Sequence, residues 1–340
     1  MTAAFALLRA GFPYVKTLGM RRFTSFPIDL AVAADGSLFV LCSGNLGADF
    51  REIRHIGYDE TEIATIGASG NEEGQFTWPG AIALDRDENL YVSDQALSRI
   101  SIFDRKGTFL GRWGEAGSGP GQIDRPLGIA FDHDENLYVV DALNHRVQKF
   151  RKDGTFLQTF GEFGTGEGQF NMPWGIAIDD DGDVYVSDWR NDRIQKLSAE
   201  GRFIFALGSS GAEKGQFNRP AGIAVDSDGD IYVADWLNNR VQLFSPNGRY
   251  VQQFLGDGTL SARARTWMLA GGLPLRQRET VDLEQQKYLR APTSVRLDRH
   301  GRLYIADCGC HRIQIYQKEA IRLEPGQLAP PLRSPQLITV

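Results

Sequence analysis

Cysteine, histidine and methionine are scarce: three, five and four residues among 340. Three cysteines do not make the disulfide framework that replaces a core in small extracellular domains. No apolar run approaches the ~18 residues of a membrane span. Basic residues are not in excess: 37 Lys and Arg stand against 43 Asp and Glu, a net charge of −6. That balance argues against whole-molecule attraction to nucleic acid or acidic lipid, although a local basic patch would escape the count. No basic residue precedes the short apolar stretch near the N-terminus, so the start does not read as a secretory signal. Together with the sparse cysteine this leads to the expectation of a reducing, cytoplasmic setting. The nucleophile-elbow pattern GxSxG and the zinc pattern HExxH do not occur.

What is abundant is glycine, 38 residues, and it falls in a pattern. Residues 164–208 match residues 210–256 almost position for position. An aspartate closes each YVxD-like run and serves as a ruler: Asp94, Asp141, Asp188 and Asp235 lie 47 residues apart, and Asp307 follows 72 later. Cys42 holds the same place in a divergent first copy, 52 residues before Asp94, which makes six copies. Two intervals therefore carry insertions, of 5 and 25 residues. Each copy holds four short alternating apolar runs separated by Gly, Asp and Asn turns, the pattern of four antiparallel strands. Such a unit repeated without helices predicts an all-β chain, a six-bladed β-propeller. The sixth copy lacks a fourth strand, while residues 11–19 read like one. The N-terminus is therefore expected to supply the outer strand of the last blade, removing an exposed edge. The propeller should span residues 1–320, with an insertion at 257–290 between blades five and six. Residues 321–340 contain four prolines and read as an extended tail, too proline-rich for a strand.

The carriers GQFxxPxGIAxD, xGDxYVxD, NxRIQ and GxFxxxFG, in register over residues 11–319, resemble the NHL-repeat family. The resemblance implies a six-bladed propeller and little about chemistry, because the family includes scaffolds, protein- and RNA-binding modules and some lyases.

Residues common to all copies are expected to be architectural. Each ruler Asp is followed five residues later by Arg (99, 146, 193, 240 and 312), a pairing suited to a turn closed by a charge-assisted hydrogen bond. The aspartate-rich stretches 179–183 and 226–230 look like the start of a calcium loop but lack its downstream glutamate, and they read as hairpin turns. Function should lie where copies differ, on the face bearing the second-to-third turns, the blade crossovers and both insertions.

Three sets stand out there. Trp174, Trp189 and Trp236, with Arg190, cluster in copies four and five, and Trp267 lies in the long insertion; Trp with Arg is the composition of a binding hot spot, or equally of rings packed under loops. The insertion also carries Arg263, Arg265, Arg276 and Arg278, with no acid between residues 258 and 278, and it suits a partner, an anionic ligand or a lipid surface. It could fold down over Trp236, and Thr280 to Leu289 could form a short helix. Third, Cys308, Cys310 and His311, with Cys42 on the neighbouring blade and His145 on the opposite one, include zinc-type donors, but CxC is tighter than the usual spacing. The alternative is small buried thiols and turn histidines.

The reading that follows is a non-enzymatic scaffold engaging a protein or peptide partner through the insertion-bearing face. A metal-dependent lyase or hydrolase using zinc or another divalent metal at His145, His311 and the cysteines is the runner-up. Its likeness to the amidating lyases rests on those two histidines alone. RNA binding comes third, lowered by the acidic balance.

Overall fold

The computed structural model describes residues 6–45, 48–271, 278 and 281–323. Six four-stranded antiparallel meanders follow one another along the chain. Blade 1 runs from the inner strand Pro27–Val32 through Leu38–Asn45 and Ala48–Ile56 to the outer strand Glu62–Ile66. Blades 2 to 5 begin at the inner strands Pro79–Leu84, Pro126–Phe131, Ile176–Ile178 and Pro220–Val225. They end at the outer strands Phe109–Trp113, Phe156–Phe160, Phe203–Leu207 and Tyr250–Phe254. Blade 6 has Pro292–Leu297, Arg302–Asp307 and Arg312–Gln317 from one end of the chain and Tyr14–Leu18 from the other. Leu18 pairs with Ile313 and Tyr14 with Tyr316, the closure the N-terminal repeat predicts. Inner strands of successive blades touch in ring order, the sixth meeting the first.

Burial explains the strand patterns. The second strands LYVSD, LYVVD, VYVSD and IYVAD are buried throughout, because each blade is covered by a neighbour on both faces. Outer strands such as Phe156–Phe160 alternate between half-buried and exposed, with only one face covered. There is no single core. Six apolar clusters occupy the six seams between blades; that between blades 4 and 5 joins Tyr185 and Ile194 to Phe217 and Val233. Near the axis the inner strands of blades 3 to 6 meet backbone to backbone. A Cβ on Gly175 would lie 2.3 Å from the Ala221 carbonyl oxygen, and one on Gly222 2.6 Å from the Ser294 Cα. Where blade 6 meets blade 1 the contact is polar: Arg296 donates to Asp29 at 2.6 Å and Ser294 Oγ to the same carboxylate at 2.5 Å.

Two expectations require correction. The tail does not start at residue 321, because Glu319–Leu323 is a strand antiparallel to Ala6–Gly11. Residues 324–340, with all four tail prolines, lie outside the described residues. This terminal ribbon is fastened to blade 5 by charge. Lys318 Nζ reaches Asp226, Asp228 and Asp230 at 2.6, 2.9 and 2.9 Å, Arg9 Nε donates to Asp230 at 2.8 Å, and Arg322 Nε to Asp228 at 2.9 Å. The calcium-like stretch at 226–230 is thus a hairpin turn filled by a lysine. Its counterpart in blade 4 is a turn in which Asp179 Oδ1 accepts from the Asp181 and Asp183 amides, with Lys196 against Asp179 and Asp183. The second correction concerns the insertion. Among the described residues, 281–289 form turns, and a helix spans Ala262–Leu269 instead. Ser261 caps it by accepting from the Ala264 amide at 3.1 Å.

Candidate functional site

The repeated residues are architectural. Arg146, Arg193, Arg240 and Arg312 bind their ruler aspartates through Nε at 2.8, 2.8, 2.7 and 2.6 Å. Each also donates to carbonyls of the crossover leading into its own blade; for Arg193 these are Thr165, Gly166 and Gln169. Blade 2 departs from this. Arg99 binds the crossover carbonyls of Asn71, Glu72 and Gln75, while Asp94 accepts the amides of Thr77, Trp78, Ala96 and Leu97.

Four residues past each ruler Asp the backbone turns left-handed: Ser98, His145, Asp192, Asn239 and His311 have φ between 45° and 57°. Four of these side chains clasp the next blade. His145 Nδ1 accepts the Met172 amide at 3.0 Å and Asp192 that of Arg219 at 2.8 Å. Asn239 accepts the Ala291 amide at 2.8 Å and His311 Nδ1 that of Phe26 at 3.1 Å. Asn, Asp and His interchange there because each offers an acceptor at the same reach and tolerates positive φ. Burial holds both imidazoles below the ordinary histidine range. His145 and His311, in blades 3 and 6, thus spend one ring nitrogen on architecture. Cys42 is buried in the blade 6–blade 1 seam, and its Sγ faces the Val40 carbonyl. Burial pushes the Cys308 thiol up to about 12 and the Cys310 thiol up to about 11, and raises Cys42 further, so all three are protonated at neutral pH. Among the described residues no three His, Cys, Asp or Glu side chains are grouped to share a metal ion.

The tryptophans behave differently. Trp174 follows Pro173 at the start of the blade 4 inner strand, beside the axis. Trp189 and Trp236 open the short 3-10 turns Trp189–Asn191 and Trp236–Asn238, directly after their ruler aspartates. Equivalent positions on adjacent blades lie close together near the axis, and the three rings meet. Centroids are 5.5 Å apart for Trp174 and Trp189, 6.2 Å for Trp174 and Trp236, and 6.1 Å for Trp189 and Trp236. All three are half-buried, and Leu237 beside them is exposed. The Arg219 guanidinium lies 4.9 Å from the Trp189 ring centre, bonded to the Trp189 and Arg190 carbonyls, and Arg190 lies 5.9 Å from the same ring. The Trp189 indole N–H is buried and donates to no acceptor among the described residues. Sequence reasoning missed Arg219, Leu237 and the half-exposed Trp78, whose ring faces Arg125 at 5.3 Å. Arg219, Arg125 and Trp78 each immediately precede a repeat proline, a position that varies between copies and could have been read as variable surface.

Trp267, Arg263 and Arg265 do not join this group. The described residues of the insertion do not cover Trp236; its helix lies over the blade 6–blade 1 seam, with Arg263 stacked on Phe23 at 3.8 Å and bonded through its amide to Glu60 at 2.9 Å. Arg265 is exposed. Arg278 contacts Gln286, and Arg276 lies outside the described residues.

Comparison with known proteins agrees with this architecture. The NHL repeat model matches residues 124–150, 170–197, 217–244 and 289–316, the cores of blades 3 to 6. The chain is an NHL-repeat β-propeller. Blades 1 and 2 complete the ring as divergent copies recognisable by strand order and register. Among solved structures the propeller resembles a catalytically inactive virginiamycin B lyase from Staphylococcus aureus with quinupristin, at a TM-score of 0.56 and 13% identity over 93% of this chain and 88% of that one. A protein of unknown function from Bacteroides thetaiotaomicron gives a TM-score of 0.61 and 18% identity over 93% and 76%. A streptogramin B lyase gives 0.57 and 12% over 93% and 98%. At these identities the likeness is one of fold. No curated protein matches the chain in sequence.

Proposed function

We propose that this NHL propeller is a non-enzymatic binding module that holds a protein or peptide segment on the face built by Trp174, Trp189 and Trp236. The observation that carries the reading is the three-ring cluster beside the axis, half-buried and flanked by Arg190 and Arg219. Rigid aromatic surface with adjacent guanidinium supplies contact area at little entropic cost, which is how binding hot spots are composed. One ring nitrogen each of His145 and His311 is spent on a clasp and Cys42 on seam packing, which weighs against the metal-dependent alternative without involving the tryptophans.

The test is a displayed random-peptide library selected on the native protein and on a Trp189→Ala, Trp236→Ala double variant. Peptides should enrich on the native chain, and their affinity should drop by roughly tenfold or more on the variant, as for the loss of hot-spot rings. Equal enrichment on a folded variant would exclude this face.

A further inference from the structure

A second concavity, of about 1020 Å³, lies between the insertion helix Ala262–Leu269 and the seam of blades 6 and 1. Its apolar surface comes from Met20, Phe23, Ala262, Ala270 and the exposed indole of Trp267. Its acids are already engaged. Glu60 accepts the Gly19 amide through one oxygen and the Arg263 amide through the other. Glu62 is paired with Arg54 at 2.7 Å and Arg263 at 3.5 Å, and Asp59 accepts the Thr61 amide in its own turn. Two cations at the rim are not engaged: the guanidiniums of Arg21 and Arg22 are exposed and have no ion pair or side-chain hydrogen bond among the described residues. Both belong to the crossover from blade 6 into blade 1, which has abandoned the GQF pattern, and Arg22 is held at φ 72°. The walls of the cleft are thus built from an inserted helix, a rewritten crossover and the divergent first blade.

We infer that this cleft is a binding site for a free organic anion with an aromatic body, its acid group on Arg21 and Arg22 and its ring against Phe23 and Trp267. The argument is one of complementarity. The volume is that of a small-molecule site, its exposed lining is mostly apolar, and the cations without an ion pair among the described residues of the rim are planar donors suited to carboxylate or sulfonate. The inference is independent of the tryptophan face of blades 4 and 5.

Titration with anilinonaphthalene sulfonate tests it, with neutral phenylnaphthylamine as the uncharged control. One saturable sulfonate site is expected. An Arg21→Gln, Arg22→Gln double variant should melt as the native chain does and weaken the sulfonate roughly tenfold or more, the equivalent of one charge-assisted hydrogen bond. The neutral probe should bind that variant as it binds the native chain. Ala270→Trp, which narrows the cleft without touching either arginine, should weaken both probes. The Trp189→Ala, Trp236→Ala variant should weaken neither. Unchanged sulfonate binding in the arginine variant, or its loss in the Trp189 and Trp236 variant, would overturn the assignment. So would arginine-dependent co-sedimentation with phosphatidylglycerol vesicles while sulfonate binding persists, which would make the site a membrane contact instead.

Discussion

His145 and His311 occupy the position where Asn239 and Asp192 stand in other blades, and they do the same work: a left-handed residue whose side chain accepts the next blade's amide. Histidine alone makes that clasp sensitive to pH. Burial lowers both pKa values in the folded chain, and that of His55, which stacks on Phe39 at 4.0 Å. Below the ordinary value of about 6.5 the unfolded chain therefore binds more protons than the folded one, and stability falls as pH drops. The melting temperature should decline between about pH 7.5 and 5.5, and His311→Asn, which keeps both φ and acceptor, should flatten that decline. An unchanged slope in thermal melts of the variant would show that His311 does not titrate on unfolding. At the axis the residue-scale constraint is space. Gly222→Ala sets a Cβ against the Ser294 Cα and the Thr293 carbonyl oxygen at 2.8 Å, backbone that cannot rotate away, and should cost about 3 kcal/mol in denaturant unfolding. Gly111→Ala, on an outer strand with nothing within 4 Å, should cost nothing or stabilise slightly.

The second-to-third hairpin of each blade is organised by its aspartate. Asp188 is fully buried and accepts from the Asn171 amide, Asn191, Arg193 and Gln195, so it ties its own hairpin to the crossover that enters the blade. Burial pushes its carboxyl up, opposed by those donors and by Arg193. Asp188→Ala strands four donors and should destabilise by about 3 kcal/mol, more than Arg193→Lys, read by chemical denaturation. In blade 1, where Cys42 replaces the aspartate, the second and third strands run on to eight and nine residues instead of five. The insertion shows where reading by element fails. Its helix has a legible start, Ser261 before an Ala- and Arg-rich run, a sharper signal than the charge pattern that follows. Residues 281–289 instead turn about Asp282, whose carboxylate accepts the Glu284 and Gln285 amides as a helix cap does, without a regular helix following.

At the scale of the whole molecule, stability depends on closing the ring. Removing residues 1–19 deletes the blade 6 outer strand and the Arg9 end of the terminal ribbon. The truncated chain should melt well below the intact one, and unchanged melting would contradict the closure. Lys318→Ala isolates the fastening of the ribbon. It leaves Asp226, Asp228 and Asp230 buried or nearly so without their shared cation, and should cost about 3 kcal/mol. Lys318→Met, which keeps the apolar stem, should lose the same charge contacts and show how much of that cost is electrostatic.

The sequence by itself determined the six-bladed ring, its register and its closure. A period of 47 residues with an aspartate at one phase repeats the same local physics each time: turn chemistry at the aspartates, alternation in the outer strands, and apolar second strands buried on both sides. It also singled out the tryptophans of blades 4 and 5 as departures from the repeat. Only the tertiary structure decided that Trp174, Trp189 and Trp236 share one surface while Trp267 and Arg263 stand at another seam. Equivalent positions converge near the axis because the blades are radial, whereas an insertion settles where its own apolar residues and amides find partners. The destination of Lys318, 88 residues from the nearest aspartate it holds, is likewise a property of closure, since only a closed ring brings the paired strands Ala6–Gly11 and Glu319–Leu323 beside blade 5.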